Sequence, residues 1–414
     1  MNGPLSPSGP ESQTHTPPAR DDRGRFHTAD VVTIAAGHAV HDTFTGFLPP
    51  LLPLLIKKFM LTKTAAGLLS VFIQAPSLLQ PFIGHRADRA NLRLAVVLAP
   101  GVTAAAMSML GLAPGYGTLT VMLLVAGASS AALHAVAPVV AGRLAGPGWG
   151  RAMGLWMVGG EAGRTLGPIV IVTAVAALTL KGTAVLMVVG IVTSAVLFTR
   201  LRHVSTRRSG SRAPLEWRSA VRAMRPVMAP LVAVTIARAF AVASFAVFLP
   251  TFLTEGGSSL WFAGASLSIL EGAGVVGALT GGWISDRLGR RRVLAAGLLV
   301  TPAIAIVFLL SEGWLRYPLL VVLGFSLFSI MPAVLALVQE SFPDNRSLAN
   351  GVYMAMNFLI RSVAIVTVGA IGDAYGLPVA FAVAAVLMVA GLPFVFLLPG
   401  SPGGPGKPDP ANSR

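Results

Sequence analysis

Cysteine is absent from the 414 residues, which excludes disulfides, thiolate metal centres and cysteine nucleophiles. Charge is scarce. Only 11% of residues are Asp, Glu, Lys or Arg, against 54% hydrophobic, whereas a soluble domain carries about 25% charged residues. Acidic charge is scarcer still, with 16 Asp and Glu against 31 Lys and Arg, for a net charge of +15. Mean hydropathy is +0.74. A chain this poor in charge and this apolar is a polytopic membrane protein. Its excess of base is accounted for by cationic loops on the cytoplasmic side of a membrane, so no nucleic-acid partner is expected. Residues 1–28 lack an apolar run and read as a disordered cytoplasmic tail rather than a signal peptide. Residues 400–414, rich in Pro and Gly, read the same way.

A membrane-spanning helix needs about 20 mostly apolar residues. Twelve such runs are present, at 29–56, 64–84, 94–114, 118–142, 152–178, 182–200, 227–253, 260–284, 293–311, 316–338, 349–371 and 376–398. Residues 201–226 form the long basic connection, a cytoplasmic linker between an N-terminal six-helix bundle at 29–200 and a C-terminal one at 227–399. With both termini inside, 23 of the 31 Lys and Arg fall in cytoplasmic segments and 5 outside. Lys57, Lys58 and Lys63 go against the rule locally. The halves also repeat. Gly84-His85-Arg86-Ala87-Asp88-Arg89 lies 198 residues before Gly282-Trp283-Ile284-Ser285-Asp286-Arg287. Gly154, Met157 and Arg164 lie 197 before Gly351, Met354 and Arg361, and Phe47-Leu48-Pro49 lies 201 before Phe248-Leu249-Pro250. A near-constant offset at three places is the mark of a duplicated unit. Parallel repeats of this kind hold their substrate near the bilayer midplane, between the halves.

Ionisable residues inside spans are rare and are functional candidates. His38, His41 and Asp42, with Thr45 following, share one face of the first helix by their i, i+3, i+4, i+7 spacing. His134 sits in the fourth span. Elsewhere at mid-depth are the acids Glu161 and Glu271 and the bases Arg164, Arg238 and Arg361. Glu161 and Arg164 are three apart and can pair within one helix. Asp42 is expected to find Arg238 across the halves, and Glu271 to find Arg361. Together these nine residues are the candidates for proton coupling and substrate contact. A buried structural cluster is the alternative, and so is a divalent metal held by His38, His41, Asp42 and His134, since His and carboxylate suit zinc or iron. Spacing alone does not define such a site, so neither a metal nor a cofactor is expected. Gly159, Gly163 and Gly167, spaced by four and followed by Pro168, let a neighbouring helix approach closely. Gly272-Ala273-Gly274-Val275-Val276-Gly277 spells a dinucleotide fingerprint but lies in an apolar helix without a preceding strand, so its glycines are for packing.

Twelve spans, a basic central linker and the twice-used G-x-x-x-D-R loop resemble the major facilitator superfamily. In the second copy Gly282, Asp286, Arg287, Gly289, Arg290 and Arg291 match the family loop throughout. The first copy keeps Gly84, Asp88, Arg89 and Arg93. The resemblance implies an all-α membrane fold of two pseudo-symmetric six-helix bundles, and a role for these loops as cytoplasmic gates. Within the superfamily, His41-Asp42, Leu133-His134 and the Gly159 to Pro168 run resemble the fosmidomycin-resistance type of exporter. Departures fall at Val136, where that type carries an acid, and at Glu161 and Arg164, where it is uncharged. The expected activity is proton-coupled antiport or efflux of a small organic molecule such as a drug or metabolite, in a bacterial inner membrane, by a monomer in contact with lipids, substrate and protons. Import of an organic anion or metal ion, or a sensor without transport, is the alternative. An enzyme is not expected.

Overall fold

The computed structural model describes residues 26–89, 92–145, 148–202, 217–342 and 346–399. The described residues are almost entirely helical. The first half comprises α1 (Thr28–Thr45), α2 (Leu48–Phe59), α3 (Lys63–Gln74), α4 (Gln80–Arg89), α5 (Arg93–Ser108), α6 (Tyr116–Leu144), α7 (Trp149–Gly182) and α8 (Met187–Arg200). The second comprises α9 (Trp217–Ala243), α10 (Leu249–Glu255), α11 (Leu260–Leu288), α12 (Arg290–Leu310), α13 (Arg316–Ser341), α14 (Arg346–Tyr375), α15 (Leu377–Ala390) and α16 (Leu392–Leu397).

Eleven apolar helical runs among the described residues are long enough to cross a membrane. The longest, Gly150–Arg200, has 51 residues. At 1.5 Å per residue it would be more than twice the ~30 Å hydrocarbon thickness. It turns back at Thr179, whose φ of 65° is left-handed, so it makes two spans and the total is twelve. Its outer face, including Val188, Val189, Ile191, Val192 and Phe198, is exposed. An apolar surface of that extent is stable only against lipid.

The duplication is visible in the packing. α1 lies on α7 as α9 lies on α14; α5 pairs with α8 as α12 pairs with α15; α3 pairs with α6 as α11 pairs with α13. Both leading spans are broken at matched points. α1 stops at Thr45 and α2 restarts at Leu48, with Pro49 and Pro50 in the first turn, where a missing N–H costs nothing. In the second half Ser244–Phe248 is a π-helical turn before α10 restarts at Leu249. Pro250 has no N–H to offer the carbonyl four residues back and its ring crowds it, so the ladder widens there. The two restarts, at Leu48 and Leu249, keep the 201-residue offset.

Two boundaries differ from the sequence expectation. The N-terminal tail is expected to run to residue 28, but the His27 N–H donates to the Leu144 carbonyl (2.9 Å) and Arg151 stacks on the Phe26 ring at 3.7 Å. α9 starts at Trp217, inside the expected 201–226 linker, because a helix need not stop where the bilayer does. Most of the two expected tails and residues 203–216 lie outside the described residues.

The halves meet along α2–α10, α3–α14 and α7–α11. Among the described residues, the hydrogen bonds and ion pairs between halves gather at one end, opposite the Gly282 to Arg291 loop. Lys63 pairs with Glu255 (3.0 Å), Asp373 accepts from Lys63 and Thr64, and the Trp261 indole donates to Thr173 (3.1 Å). This far end is sealed. It also explains the lysines that break the charge rule. The Lys58 ammonium donates to the Gly111 and Ala113 carbonyls (2.8 and 3.0 Å), closing the end of the third span, and Lys63 holds the seal.

Candidate functional site

α7 seats itself on α1 through glycine. A Cβ on Gly159, Gly163 or Gly167 would lie 2.3, 2.3 or 2.5 Å from the carbonyl oxygens of Ala35, Ala39 and Thr43. The three contacts climb α1 four residues at a time, so the two backbones touch along two turns. Pro168, one residue on, is buried where α7 also meets α11, its carbonyl near Gly264. Gly277 and Gly281 of α11 meet the Phe325 and Ser329 carbonyls of α13 at similar separations, which gives the fingerprint-like sequence its packing role. Between Gly159 and Gly163, Gly160 leaves room for a side chain: a Cβ there would sit 2.3 Å from His38 Cε1 and 3.1 Å from Asp42 Oδ2.

His38 and Asp42, one turn apart on α1, are thereby pressed between α7 and α6. His38 Nδ1 lies 2.9 Å from the Trp156 carbonyl, and its ring stacks on the Trp156 indole at 3.6 Å and 13°. A carbonyl only accepts, so Nδ1 carries the hydrogen and Nε2 faces inward. His134 of α6 is fixed in the same way, with Nδ1 at 2.9 Å from the Ser130 carbonyl. The two inward Nε2 atoms are 3.1 Å apart. Asp42 closes the group, Oδ2 at 3.3 Å from His38 Nε2 and Oδ1 at 3.8 Å from His134 Nε2. His41 stands behind, fully buried, with Nε2 at 3.9 Å from Asp42 Oδ1.

Asp42 and His134 open onto a cavity of about 300 Å³ between the halves. Arg164 and Arg361, repeat mates 197 residues apart, both line it, and so does Glu271. Arg164 donates to Glu161 in its own helix, the i, i+3 pair. Glu271 of the second half interacts electrostatically with Arg164 and Arg361. The Arg361 Nε is buried without a hydrogen-bond partner. Arg238 is placed elsewhere than the sequence suggests. Its Nε donates to the Leu327 carbonyl (3.3 Å), and Asp42 is surrounded by imidazoles instead. The 201-residue offset sets Arg238 opposite Gly37, level with His38, but matched depth does not bring two side chains to one face.

In the second loop, Gly289 joins α11 to α12 at a φ of 90°, a conformation that suits glycine. It turns Arg290 back into the protein. The guanidinium reaches Asp286 (2.5 Å), Glu340 of α13 (2.7 Å), the Ser285 hydroxyl and the Gly282 carbonyl (3.4 Å). Arg287 instead lies over the exposed Trp283 ring at 3.8 Å, and the Arg291 Nε is buried without a partner. In the first loop Arg93 starts α5 and donates to the Leu201 carbonyl (3.3 Å). The surroundings of Gly84 and the side chains of Asp88 and Arg89 lie outside what is described. Trp156, Ser130, Glu340 and Asp373 are not found by sequence reasoning. Trp156 and Ser130 accept from the imidazoles through backbone carbonyls, which leave no residue signature, and add the indole stack on His38 and a hydroxyl 3.3 Å from His134 Nδ1.

Two helical bundles related by duplication, a cavity between them lined in part by charged side chains and a seal at one end define a multi-pass membrane transporter. The model of the Major Facilitator Superfamily matches residues 34–365 and 273–413, and the chain belongs to that superfamily. It is similar to the fosmidomycin resistance protein of Escherichia coli (strain K12), 25% identical over 375 residues, covering 88% of this chain and 91% of that one. It is equally similar to the MFS-type transporter YfnC of Bacillus subtilis (strain 168), 25% identical over 389 residues, covering 89% and 92%. Among solved structures it resembles a bacterial homologue of the human lysosomal transporter Spinster in an inward-facing, occupied conformation (TM-score 0.75, 14% identity, 90% of this chain and 96% of that one). It also resembles the nucleoside transporter NupG (TM-score 0.73, 14% identity, 89% and 99%).

Proposed function

We propose that the protein is a proton-coupled secondary transporter that exports a small organic molecule from a bacterial cell by alternating access. The observation that carries this reading is the Asp42 carboxylate, held with two imidazoles on the wall of the inter-half cavity and reaching it directly and through His134. Histidine exchanges protons near neutral pH, and a carboxylate beside it stabilises the charged form. Loading and emptying such a group changes the charge facing the cavity, which is what a two-state carrier needs to couple one gradient to another. With the Arg-rich connections and both termini in the cytoplasm, the sealed end faces outward and this is the inward-facing state. The similarity to a protein named for fosmidomycin resistance supports export as the direction. In proteoliposomes with an imposed pH gradient, Asp42→Asn abolishes proton-driven flux; undiminished flux retires the reading.

Arg361 supports an anionic substrate. Its side chain lines the cavity, and an anion there would meet the guanidinium in a charge-assisted pair. Substrate binding that survives Arg361→Gln unchanged speaks against this. Accumulation of toxic compounds in deletion and overexpression strains fixes substrate class and direction together.

A further inference from the structure

The His38–His134–Asp42 group is a set of acceptors without a donor. Both imidazoles use their Nδ1 hydrogens on backbone carbonyls. When neutral, each then points a bare Nε2 lone pair inward, towards the other and towards a carboxylate. One proton can join two of the three groups. A divalent cation satisfies all of them.

The distances fit such an ion. Zinc takes His nitrogen at ~2.0–2.1 Å and carboxylate oxygen at ~2.0–2.2 Å, so ligand atoms of a tetrahedral site lie roughly 3.3–3.5 Å apart. Here the nearest separations are 3.1 Å between the two Nε2 atoms, 3.3 Å from His38 Nε2 to Asp42 Oδ2, and 3.8 Å from His134 Nε2 to the other carboxylate oxygen, Oδ1, and one ligand atom from each residue lies within 4.8 Å of the others, near the size of such a site. The outer contacts fit as well. Metal-binding histidines donate their other N–H to a carbonyl or carboxylate, which fixes tautomer and ring plane, and the Trp156 and Ser130 carbonyls occupy those positions. His38 and Asp42 are buried, at 4% and 7% exposure, while His134 and Asp42 face the cavity. Three ligands on one side and an opening on the other leave a coordination position for water or an anionic oxygen from the cavity.

We propose that His38, His134 and Asp42 form a site for one divalent late first-row transition metal, with its fourth coordination position open to the inter-half cavity. The ligands must be deprotonated to bind it, so metal and protons compete for the group.

The test uses the full chain in detergent, without a polyhistidine tag, stripped by chelator, then titrated with Zn²⁺ by equilibrium dialysis and with Co²⁺ by visible absorption. The expected result is one Zn²⁺ per chain and the intense bands of four-coordinate Co²⁺. Asp42→Asn and His134→Ala each weaken Zn²⁺ binding by more than about 100-fold, beyond the usual loss for an outer partner, and Glu312→Gln, on an exposed loop, binds as wild type. No saturable binding, six-coordinate Co²⁺ spectra, or affinity unchanged in both ligand variants overturns the proposal. Should either variant aggregate on size exclusion, the wild-type stoichiometry and Co²⁺ spectrum decide alone. Absent metal binding with proton-driven flux intact removes this inference and leaves the transport reading standing.

Discussion

Asp373, near the end of α14, caps the first turn of α3 from the opposite half: its carboxylate accepts from the Thr64 N–H (2.9 Å), the Thr64 hydroxyl (2.6 Å) and the Lys63 N–H (2.6 Å). The opening turn of a helix has free N–H groups and a partial positive charge, so a carboxylate is a natural partner. Here that partner belongs to the other bundle. The seal can open only by stripping the cap from α3.

Asp373→Ala therefore favours the state open at the far end. The carboxylate is exposed, so the loss is near the low end for a charged hydrogen bond, about 1 kcal/mol, or roughly a fivefold shift in the equilibrium. The chain has no cysteine, so single cysteines introduced in each half at that end carry spin labels without background. Double electron–electron resonance should show a longer-distance population growing in the variant. An unchanged distribution would mean that the cap does not hold the seal.

The glycine seam between α1 and α7 makes opposite predictions for two nearby positions. A Cβ at Gly163 meets the Ala39 carbonyl and the Thr43 backbone nitrogen, at 2.3 and 2.9 Å, whereas at Gly154 nothing lies within 4 Å. Gly163→Ala should force the helices apart at a cost of about 1–3 kcal/mol. Gly154→Ala should stabilise slightly, by up to about 1 kcal/mol, because alanine favours helix. Thermal unfolding in detergent would rank them, Gly154→Ala above wild type and Gly163→Ala well below it. Equal midpoints would deny the seam its role.

Arg290 joins α12 to α13 through Glu340. Glu340→Ala leaves a buried guanidinium with Asp286 as its remaining carboxylate among the described residues, costing about 1–2 kcal/mol once the partial exposure of Glu340 is allowed for. Arg287→Ala, which loses only an exposed stacking contact, should change stability by no more than about 0.5–1 kcal/mol. Chemical unfolding monitored by tryptophan emission separates the two; the reverse order would show that Arg287 is the structural arginine of the loop.

Much of this architecture can be read from the chain. Apolar runs mark the spans, and the 197–201-residue offsets mark the duplication, because both are one-dimensional patterns. Asp42 is conspicuous because charge in an apolar run is conspicuous. What surrounds it is not. His38 reaches Trp156 across 118 residues and His134 across 96, and no local pattern records such pairings. Asp373 looks like an ordinary charged helix end until its partner 309 residues away is seen. The turn at Thr179 is equally silent, since threonine carries no preference for a left-handed backbone. Arg238 misleads for the opposite reason: it stands at the expected depth, but its direction is set by rotation about the helix, which a constant offset does not encode.

The stacking of Trp156 on His38 has an optical consequence. An excited indole readily gives up an electron to a cationic imidazole in van der Waals contact, and far less readily to a neutral one. Trp156 is buried, at 5% exposure, and is one of six tryptophans. In a chain in which the other five are replaced, Trp156 emission would report on the imidazole stacked against it, so the state of the buried cluster could be followed during turnover without any added dye.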